Sequence, residues 1–364
     1  MPAPLGRDLE LTRKQFAEWL PSVLTDATDI EIGELSGPGA TGFSSDTLLC
    51  DIRYRQKGSD ADPTTLGIAI RIHPKKPFVF PEYDLPMQFR VMRALAQTKI
   101  LVPQMLWEER SGDVIGDAFY VMSKIEGLAP SDNPPYNTEG WVTQLTSPER
   151  ARMWRSYLET LADIHALDPF ALGLSFLAKP ELGDDPLTQE LVYYQNYFDE
   201  RWGGREHPTV SHSLPWLRAN RPDAASSSEV RLVWGDARPG NMLFRDARGV
   251  AVLDWEMARL ADPIIDLAWG TFVERFHTEG IGTERLAGFP TREEAIATYQ
   301  ELTGRSTVNI EYYEVLAGMR FSVIMIALAQ QMKHHGELPE EAEFETNNPV
   351  SNLHRLQLES LGVL

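Results

Sequence analysis

The chain has 364 residues, of which 43% are hydrophobic and 24% charged, a composition typical of folded globular proteins that excludes intrinsic disorder. Its 53 acidic and 34 basic residues give a formal net charge of −19, which disfavours nucleic acid and anionic membranes as partners. The single cysteine, Cys50, excludes an intramolecular disulfide and a thiolate zinc cluster, and the first residues show no apolar leader. We therefore expect a cytoplasmic protein of two domains or one large two-lobed unit.

The first third of the chain has the pattern of a small, β-rich unit. From Ile30 the sequence predicts a strand, a turn and a second strand at residues 43–54. Apolar and polar residues alternate over residues 47–54 of this second strand. An apolar, β-branched run at 66–72 predicts a third strand, and a helix capped by Asp84 should follow it. A further strand is predicted at 119–122, before a Pro-rich connector.

The rest of the chain has helical patterns. A helix is predicted from Ser147, because the proline after it favours a helix start, and a longer helix is predicted at 312–332. Thr291 and Glu294 have the spacing of a capping box ahead of another helix. This part should therefore be mainly helical.

Together these patterns predict an α+β chain of two lobes. The N-terminal lobe would cover residues 1–123, and residues 124–127 would form a hinge. The C-terminal lobe would cover residues 128–364 and contain an insertion at 178–230. Most of the net charge, −15 of the −19, falls after residue 123, where it would either solvate the surface or attract cationic ligands.

Two short apolar runs on either side of residues 245–249 predict a β-hairpin. Asn241 precedes the first strand and Asp254 follows the second, so antiparallel pairing brings an amide oxygen and a carboxylate to the same end. Such oxygens suit Mg²⁺, which keeps water and phosphate oxygens as its other ligands. Asp236, five residues before Asn241, would then lie where a general base can receive a hydroxyl proton.

The same residues form a series of motifs. The sequence reads WGDARPGN, LDWE and ADPIIDLA, and it resembles the HGDxxxxN, DWE and GDPxxDLA segments of the aminoglycoside phosphotransferase and choline kinase group. The resemblance implies a protein-kinase-like two-lobed fold that moves the γ-phosphoryl group of ATP, or of GTP, to a small-molecule hydroxyl. It implies these roles: Asp236 as catalytic base, Asn241 and Asp254 as Mg²⁺ ligands, Asp266 as a brace for the catalytic loop, and Arg238 as a phosphate contact. Taken one by one, Asp236 and Asn241 could instead be turn formers and Asp254 a helix cap.

Residues 37–42 have the pattern GxGxxG, which alone is a weak signal. A predicted strand follows, and strand, glycine loop, strand is the kinase arrangement for covering nucleotide phosphates. A helix directly after Gly42 would instead indicate a Rossmann-type oxidoreductase, and an ordinary hairpin turn is the remaining alternative. In the kinase interpretation the expected nucleotide contacts are Gly37, Gly39, Gly42, Phe43, Ser44, Arg71, Gln88 and Met122.

Several positions depart from the family pattern. Arg71 stands in IAIR where kinases have the lysine of VAIK, and it keeps the positive charge. Gln88 stands where the next helix usually carries the glutamate that pairs with this cation; a neutral Gln can hydrogen-bond Arg71 but forms no ion pair. Trp234 replaces the motif's mainly structural histidine. These departures leave a catalytically weak, nucleotide-binding regulator as an alternative function.

The acceptor is predicted only as a class. An acidic C-terminal lobe favours a cationic acceptor such as an aminoglycoside, and the family name points the same way. A hydroxyacyl compound or another metabolite is the alternative. We expect a monomer or homodimer that uses ATP or GTP with Mg²⁺ and has no nucleic-acid or membrane partner.

Overall fold

The computed structural model describes residues 7–37, 46–59, 61–75, 79–222 and 230–364. Its N-terminal part is built on an antiparallel sheet of five strands in the order β1–β2–β3–β5–β4. The strands are β1 (Ala27–Ile32), β2 (Asp46–Gln56), β3 (Thr64–Ile72), β4 (Met105–Glu109) and β5 (Phe119–Ser123). Helix α1 (Leu9–Trp19) covers one face of the sheet, and α2 (Leu85–Leu95) lies against the other.

Strand β3 shows how the sequence alternation becomes two packed faces. Ile68, Ile70 and Ile72 join the apolar cluster under α1, whereas Ala69 joins the larger cluster that includes α2. Arg71 shares the face of Ala69, since successive side chains of a strand point to opposite sides. The sheet therefore presents Arg71 on the side that faces the second part of the molecule.

The remaining helices pack around one core. Two of them begin with capping boxes, Thr146 with Glu149 and the predicted pair Thr291 with Glu294, and the second of these helices ends at Gly304 in the left-handed region. The helices are α3 (Trp141–Gln144), α4 (Ser147–His165), α5 (Pro186–Trp202), α6 (Val210–Ala219), α7 (Ile264–Arg275), α8 (Arg292–Thr303), α9 (Ile310–His334) and α10 (Pro349–Ser360).

Helix α9 is the central element of this core. Its 25 residues make it longer than the helix predicted at 312–332. By length and composition alone it could cross a membrane, because one 18-residue window has a mean hydropathy of 1.5. However, 72% of that window is buried inside the fold, where α9 packs against α7 and α10. It is thus the core helix of the C-terminal part.

Two small ribbons connect the helices to the candidate site. Strand β6 (Arg231–Val233) pairs with β9 (Arg259–Ala261), and β7 (Met242–Arg245) pairs with β8 (Arg248–Val252). The second ribbon is the predicted hairpin, with a tighter turn than expected: only Asp246 and Ala247 lie outside the strands, at φ of 53° and 56°.

Strand β5, the last strand of the sheet in chain order, ends at Ser123, directly before the predicted hinge at 124–127. The backbone N–H of Lys124 still donates to Gly67 in the sheet, and that of Leu128 donates to Phe244 in the β7–β8 hairpin. Residues 124–127 therefore run from the sheet to the hairpin. The division of the chain into lobes stays a prediction, as does the status of residues 178–230 as an insertion.

Candidate active site

The segment between β6 and β7 is held at its start by Asp266, the first acidic residue of α7. Oδ2 of Asp266 accepts a hydrogen bond from the backbone N–H of Trp234 (2.7 Å), and Oδ1 accepts one from Gly235 (2.9 Å). The Nε2 atom of His165 on α4 lies 3.1 Å from Oδ2, and both side chains are fully buried. Asp266 thus fixes the backbone just before Asp236, which is the contact that the resemblance implies.

The carboxylate of Asp236 is surrounded by donors from three places. The Nε1 atom of Trp269 donates to Oδ1 (2.7 Å), and Nδ2 of Asn241 donates to Oδ2 (2.6 Å). The Nε atom of Arg238 lies 3.1 Å from both oxygens. These contacts hold the carboxylate in one orientation, although its side chain remains 15% exposed.

Arg238 is itself clamped between two carboxylates. Its Nη1 atom lies 2.6 Å from each oxygen of Asp132, in the connector after the sheet. Burial lowers the pKa of Arg238, but Asp132 and Asp236 raise it by more, so that the guanidinium is held above its usual pKa. Arg238 therefore contacts Asp236 and Asp132, and sequence reasoning missed the contact with Asp132; its role as a phosphate contact stays a prediction.

The hairpin brings the two predicted metal ligands together. The backbone N–H of Leu253 donates to the backbone carbonyl of Asn241 (2.9 Å), which places Asp254 beside Asn241. Asp254 has φ of 58°, a left-handed conformation that is uncommon outside glycine and clusters at functional sites. The Nε1 atom of Trp234 donates to the carbonyls of Leu253 (2.8 Å) and Asp254 (3.2 Å), so this tryptophan links the two segments.

The donor chemistry at this point fits Mg²⁺. Because the amide nitrogen of Asn241 is occupied by Asp236, its carbonyl oxygen remains for a metal, next to the carboxylate of Asp254. Among the described residues, no group of three or more His, Cys, Asp or Glu side chains is arranged to hold a metal ion. Two oxygen ligands with water and phosphate completing the shell is a common way to bind Mg²⁺.

Arg71 contacts two carboxylates of the segment that follows β8. Its Nη2 atom lies 3.1 Å from Oδ1 of Asp254 and 3.5 Å from Oε2 of Glu256. In the described structure Gln88 contacts Tyr120 instead, accepting its hydroxyl hydrogen bond at 3.3 Å. Gln88 and Arg71 thus have different partners, because two carboxylates attract a guanidinium more strongly than a neutral amide does.

The glycine-rich loop is only partly described. Gly37 lies at the end of a described segment, whereas Gly39, Gly42, Phe43 and Ser44 lie outside the described residues. The oxidoreductase alternative requires a helix directly after Gly42. Residues 46–56 instead form strand β2, from Asp46 to Gln56, which argues against that alternative.

Met122 lies on β5 opposite Ala69, on the face that also carries Tyr120 and Arg71. It belongs to the larger core cluster and is 9% exposed. The structure thus places it on the same side of the sheet as the predicted phosphate contact.

Comparison with known proteins gives the family. The model described as "Phosphotransferase enzyme family" matches residues 71–303, a range that begins at Arg71 and contains the catalytic loop, the hairpin and Asp266. The chain belongs to this family. The family resemblance of the WGDARPGN, LDWE and ADPIIDLA motifs is confirmed.

A curated relative and two solved structures resemble this family member. Human "Acyl-CoA dehydrogenase family member 11" is 27% identical over 330 residues, which are 86% of this chain but 40% of that protein. The chain therefore spans less than half of the relative's length. A candidate aminoglycoside phosphotransferase from Ralstonia eutropha JMP134 superimposes with a TM-score of 0.67 at 19% identity, covering 95% of this chain and 98% of that one.

The second structure is a thermostable mutant of the aminoglycoside phosphotransferase APH(4)-Ia in ternary complex with AMP-PNP and hygromycin B. It superimposes with a TM-score of 0.53 at 12% identity and covers 95% of this chain and 97% of its own. At these identities the structures establish the fold alone. The predicted protein-kinase-like α+β fold is confirmed.

Three contact residues were not found by sequence reasoning. Glu256 and Trp269 each carried a signal, since Glu256 completes the DWE motif and Trp269 lies one helical turn after Asp266. Asp132 carried none, because its contact with Arg238 joins residues 106 positions apart.

Proposed function

We propose that the protein transfers the γ-phosphoryl group of ATP, with Mg²⁺, to a hydroxyl group of a small molecule. The observation that carries the proposal is the convergence of Asp236, Asn241 and Asp254 at one end of the β7–β8 hairpin. A fixed carboxylate beside two oxygen ligands is the arrangement that phosphoryl transfer needs. Membership of a phosphotransferase family supports the same reaction class.

In the proposed mechanism each residue has one task. Asp236 orients the acceptor hydroxyl and receives its proton as the acceptor oxygen bonds to the γ-phosphorus and the bond to ADP breaks. Asn241 and Asp254 would hold Mg²⁺, which when bound neutralises charge on the phosphates. Arg71 and Arg238 would stabilise negative charge on the nucleotide phosphates and on the transferred group.

The nucleotide would lie between the sheet and the hairpin, with the glycine-rich residues 37–42 over its phosphates and Met122 beside its base. The complex of APH(4)-Ia with AMP-PNP supports an adenine nucleotide, and GTP is the alternative donor. The lobes at 1–123 and 128–364, with the hinge at 124–127, remain part of this proposal. So do a cytoplasmic monomer or homodimer and the absence of nucleic-acid or membrane partners.

Two classes of acceptor have support. The hygromycin B bound to APH(4)-Ia and the net charge of this chain favour an aminoglycoside. The relative named for acyl-CoA dehydrogenase, together with aromatic rings beside the base, favours a hydroxyl compound with an apolar part. Trp269, which holds Asp236, packs 5.3 Å from the ring of Phe321, and Phe321 packs 5.4 Å from Phe276. Both phenylalanines are only half-buried and offer apolar surface.

A turnover screen tests the proposal. ADP or GDP release would be measured with Mg²⁺ and either nucleotide against aminoglycosides, sugars, choline-like amines and hydroxyacyl compounds. We expect one acceptor class to raise nucleotide consumption well above the rate without acceptor. If no compound does so while Mg·ATP raises the melting temperature, the weak regulator is the better account.

A further inference from the structure

The helix position that usually supplies a glutamate to the conserved cation is filled here by a neutral side chain. Gln88 on α2 is 1% exposed, and its Oε1 atom accepts from the Tyr120 hydroxyl. Its Nε2 atom is buried without a hydrogen-bond partner. Tyr120 is the residue opposite Arg71 in the β3–β5 pairing, so Gln88 points to the neighbourhood of Arg71 but supplies no charge.

A carboxylate from a different part of the chain contacts Arg71. Glu256 lies two residues after Asp254, and its Oε2 atom is 3.5 Å from Nη2 of Arg71. The side chains of Arg71 and Glu256 are only 14% and 9% exposed, so their attraction is weakly screened by solvent. The contact joins positions 185 residues apart, between the sheet and the segment after β8.

We propose that Glu256 replaces the helix glutamate as the ion-pair partner that positions Arg71 for the nucleotide phosphates. The inference rests on the proposed function, because it gives Arg71 that task. It makes Glu256 a positioning residue, and it makes a neutral Gln88 compatible with an active enzyme.

Asp254 alone cannot fill this role. Its carboxylate contacts Arg71 at 3.1 Å, but the proposed mechanism also requires it as a Mg²⁺ ligand. A carboxylate that binds a divalent cation attracts a guanidinium less, since the cation neutralises its charge. Glu256 is not a Mg²⁺ ligand in the proposed mechanism, so its carboxylate can attract Arg71 whether or not Mg²⁺ is bound.

One structural consequence is that Arg71 is anchored to the C-terminal part of the chain rather than to α2. In a kinase-like site where a helix supplies the glutamate, displacement of the helix removes the ion pair. Here the pair depends on β3 and on the loop after β8, so α2 has no charge contact with Arg71 to lose.

The test moves the carboxylate from one position to the other. Glu256→Gln, Gln88→Glu and the double variant would be compared with the wild type for ADP binding by calorimetry without acceptor, first without Mg²⁺ and then with it. Glu279→Gln, which removes a carboxylate from the surface pair with Arg275, is the matched control. Thermal unfolding of each protein without ligand checks the fold.

We expect Glu256→Gln to raise the Kd for ADP about ten-fold with and without Mg²⁺, and the double variant to recover most of that loss. The control should bind like the wild type. If Glu256→Gln does not fold, recovery of a cooperative transition in the double variant supports the inference, and failure to recover it contradicts the inference.

Two results would overturn the inference. One is unchanged ADP binding by Glu256→Gln, and the other is a loss seen only in the presence of Mg²⁺, which would make Glu256 a metal contact. A wild type that binds no nucleotide would instead contradict the proposed function, so the two failures can be told apart.

Discussion

At the scale of single residues, the placement of the motif residues was predictable from the sequence, but the residues that hold them in position were not. The spacing in WGDARPGN and LDWE was enough to place Asp236, Asn241 and Asp254 together, because a hairpin imposes that geometry. The donors that hold Asp236, and the carboxylate that clamps Arg238, come from distant parts of the chain. Such tertiary contacts leave no periodic signal in one sequence.

The first residue-scale prediction concerns Trp269. Trp269→Phe keeps an aromatic ring against Phe321 but removes the indole N–H that donates to Asp236. Since this hydrogen bond orients Asp236, the proposed base, kcat should fall roughly ten-fold while the Kd for ATP stays unchanged. Steady-state kinetics with the identified acceptor measure this.

Trp202→Phe is the control for that experiment, because the Trp202 indole donates to the carbonyl of Glu206 away from Asp236. An equal fall in kcat for both variants would show that the effect is general destabilisation. An unchanged kcat in Trp269→Phe would remove Trp269 from the account.

The second residue-scale prediction concerns Glu274, whose Oε2 atom accepts from Tyr136 and whose Oε1 atom is buried without a partner. Burial raises the pKa of Glu274 from 4.5 to about 7. The folded protein therefore keeps a proton that the unfolded chain releases near pH 4.5. This proton contributes roughly 3 kcal/mol to the free energy of unfolding. The contribution is fully present below pH 4.5 and is lost as the pH rises from 4.5 through 7.

Glu274→Gln removes this titration while keeping an oxygen for Tyr136. Its melting temperature should exceed that of the wild type at pH 8, and the difference should shrink at pH 5. The exposed Glu279→Gln variant should show no such pH dependence. A difference that is equal at both pH values would contradict the raised pKa of Glu274.

At the scale of elements, capping and alternation predicted well, and elements without such signals were missed. Asp84 caps α2 by accepting from Met87, and Thr291 with Glu294 begins α8, as their spacing indicates. Strand β4 was not predicted, because all five of its residues are half-buried and show no alternation. Helices α1 and α10 were missed although Asp8 and Asn348 cap them, because neither was recognised as a cap before a helical stripe.

The element-scale prediction concerns the contact between α9 and α10. A Cβ atom at Gly318 would overlap the ring of His354, meeting Cγ at 2.7 Å and Nδ1 closer still. Gly318→Ala should therefore push the helices apart and lower the free energy of unfolding by about 1–2 kcal/mol, although alanine favours helix formation. Chemical denaturation measures the loss.

The compensating change is His354→Ala in the Gly318→Ala background, which makes room for the added methyl group. The double variant should lose less stability than the sum of the two single variants. Strict additivity of the two losses would mean that the ring of His354 is not what limits the approach of the helices.

At the scale of the whole molecule, the two-lobed fold was predictable because a β-rich segment precedes a helical one and the motifs lie within the helical segment, after α6 and before most of α7. The meaning of the net charge was not. Several acidic residues of the C-terminal part are buried inside the fold rather than displayed on its surface; they include Glu190, Asp266, Glu274, Glu314 and Glu345. Part of the acidity therefore serves internal contacts, which weakens charge as an argument for a cationic acceptor.

The most direct test of the central claim is the rate of phosphoryl transfer by Asp236→Asn beside its affinity for Mg·ATP. In the proposed mechanism Asp236 receives the hydroxyl proton and does not hold the metal, so kcat should fall about 10²–10⁴-fold while the Kd for Mg·ATP changes little. Asp163→Asn, which alters an exposed pair with Lys99, should behave like the wild type. An Asp236→Asn variant that keeps most of the wild-type kcat would contradict the assignment of Asp236 as the base.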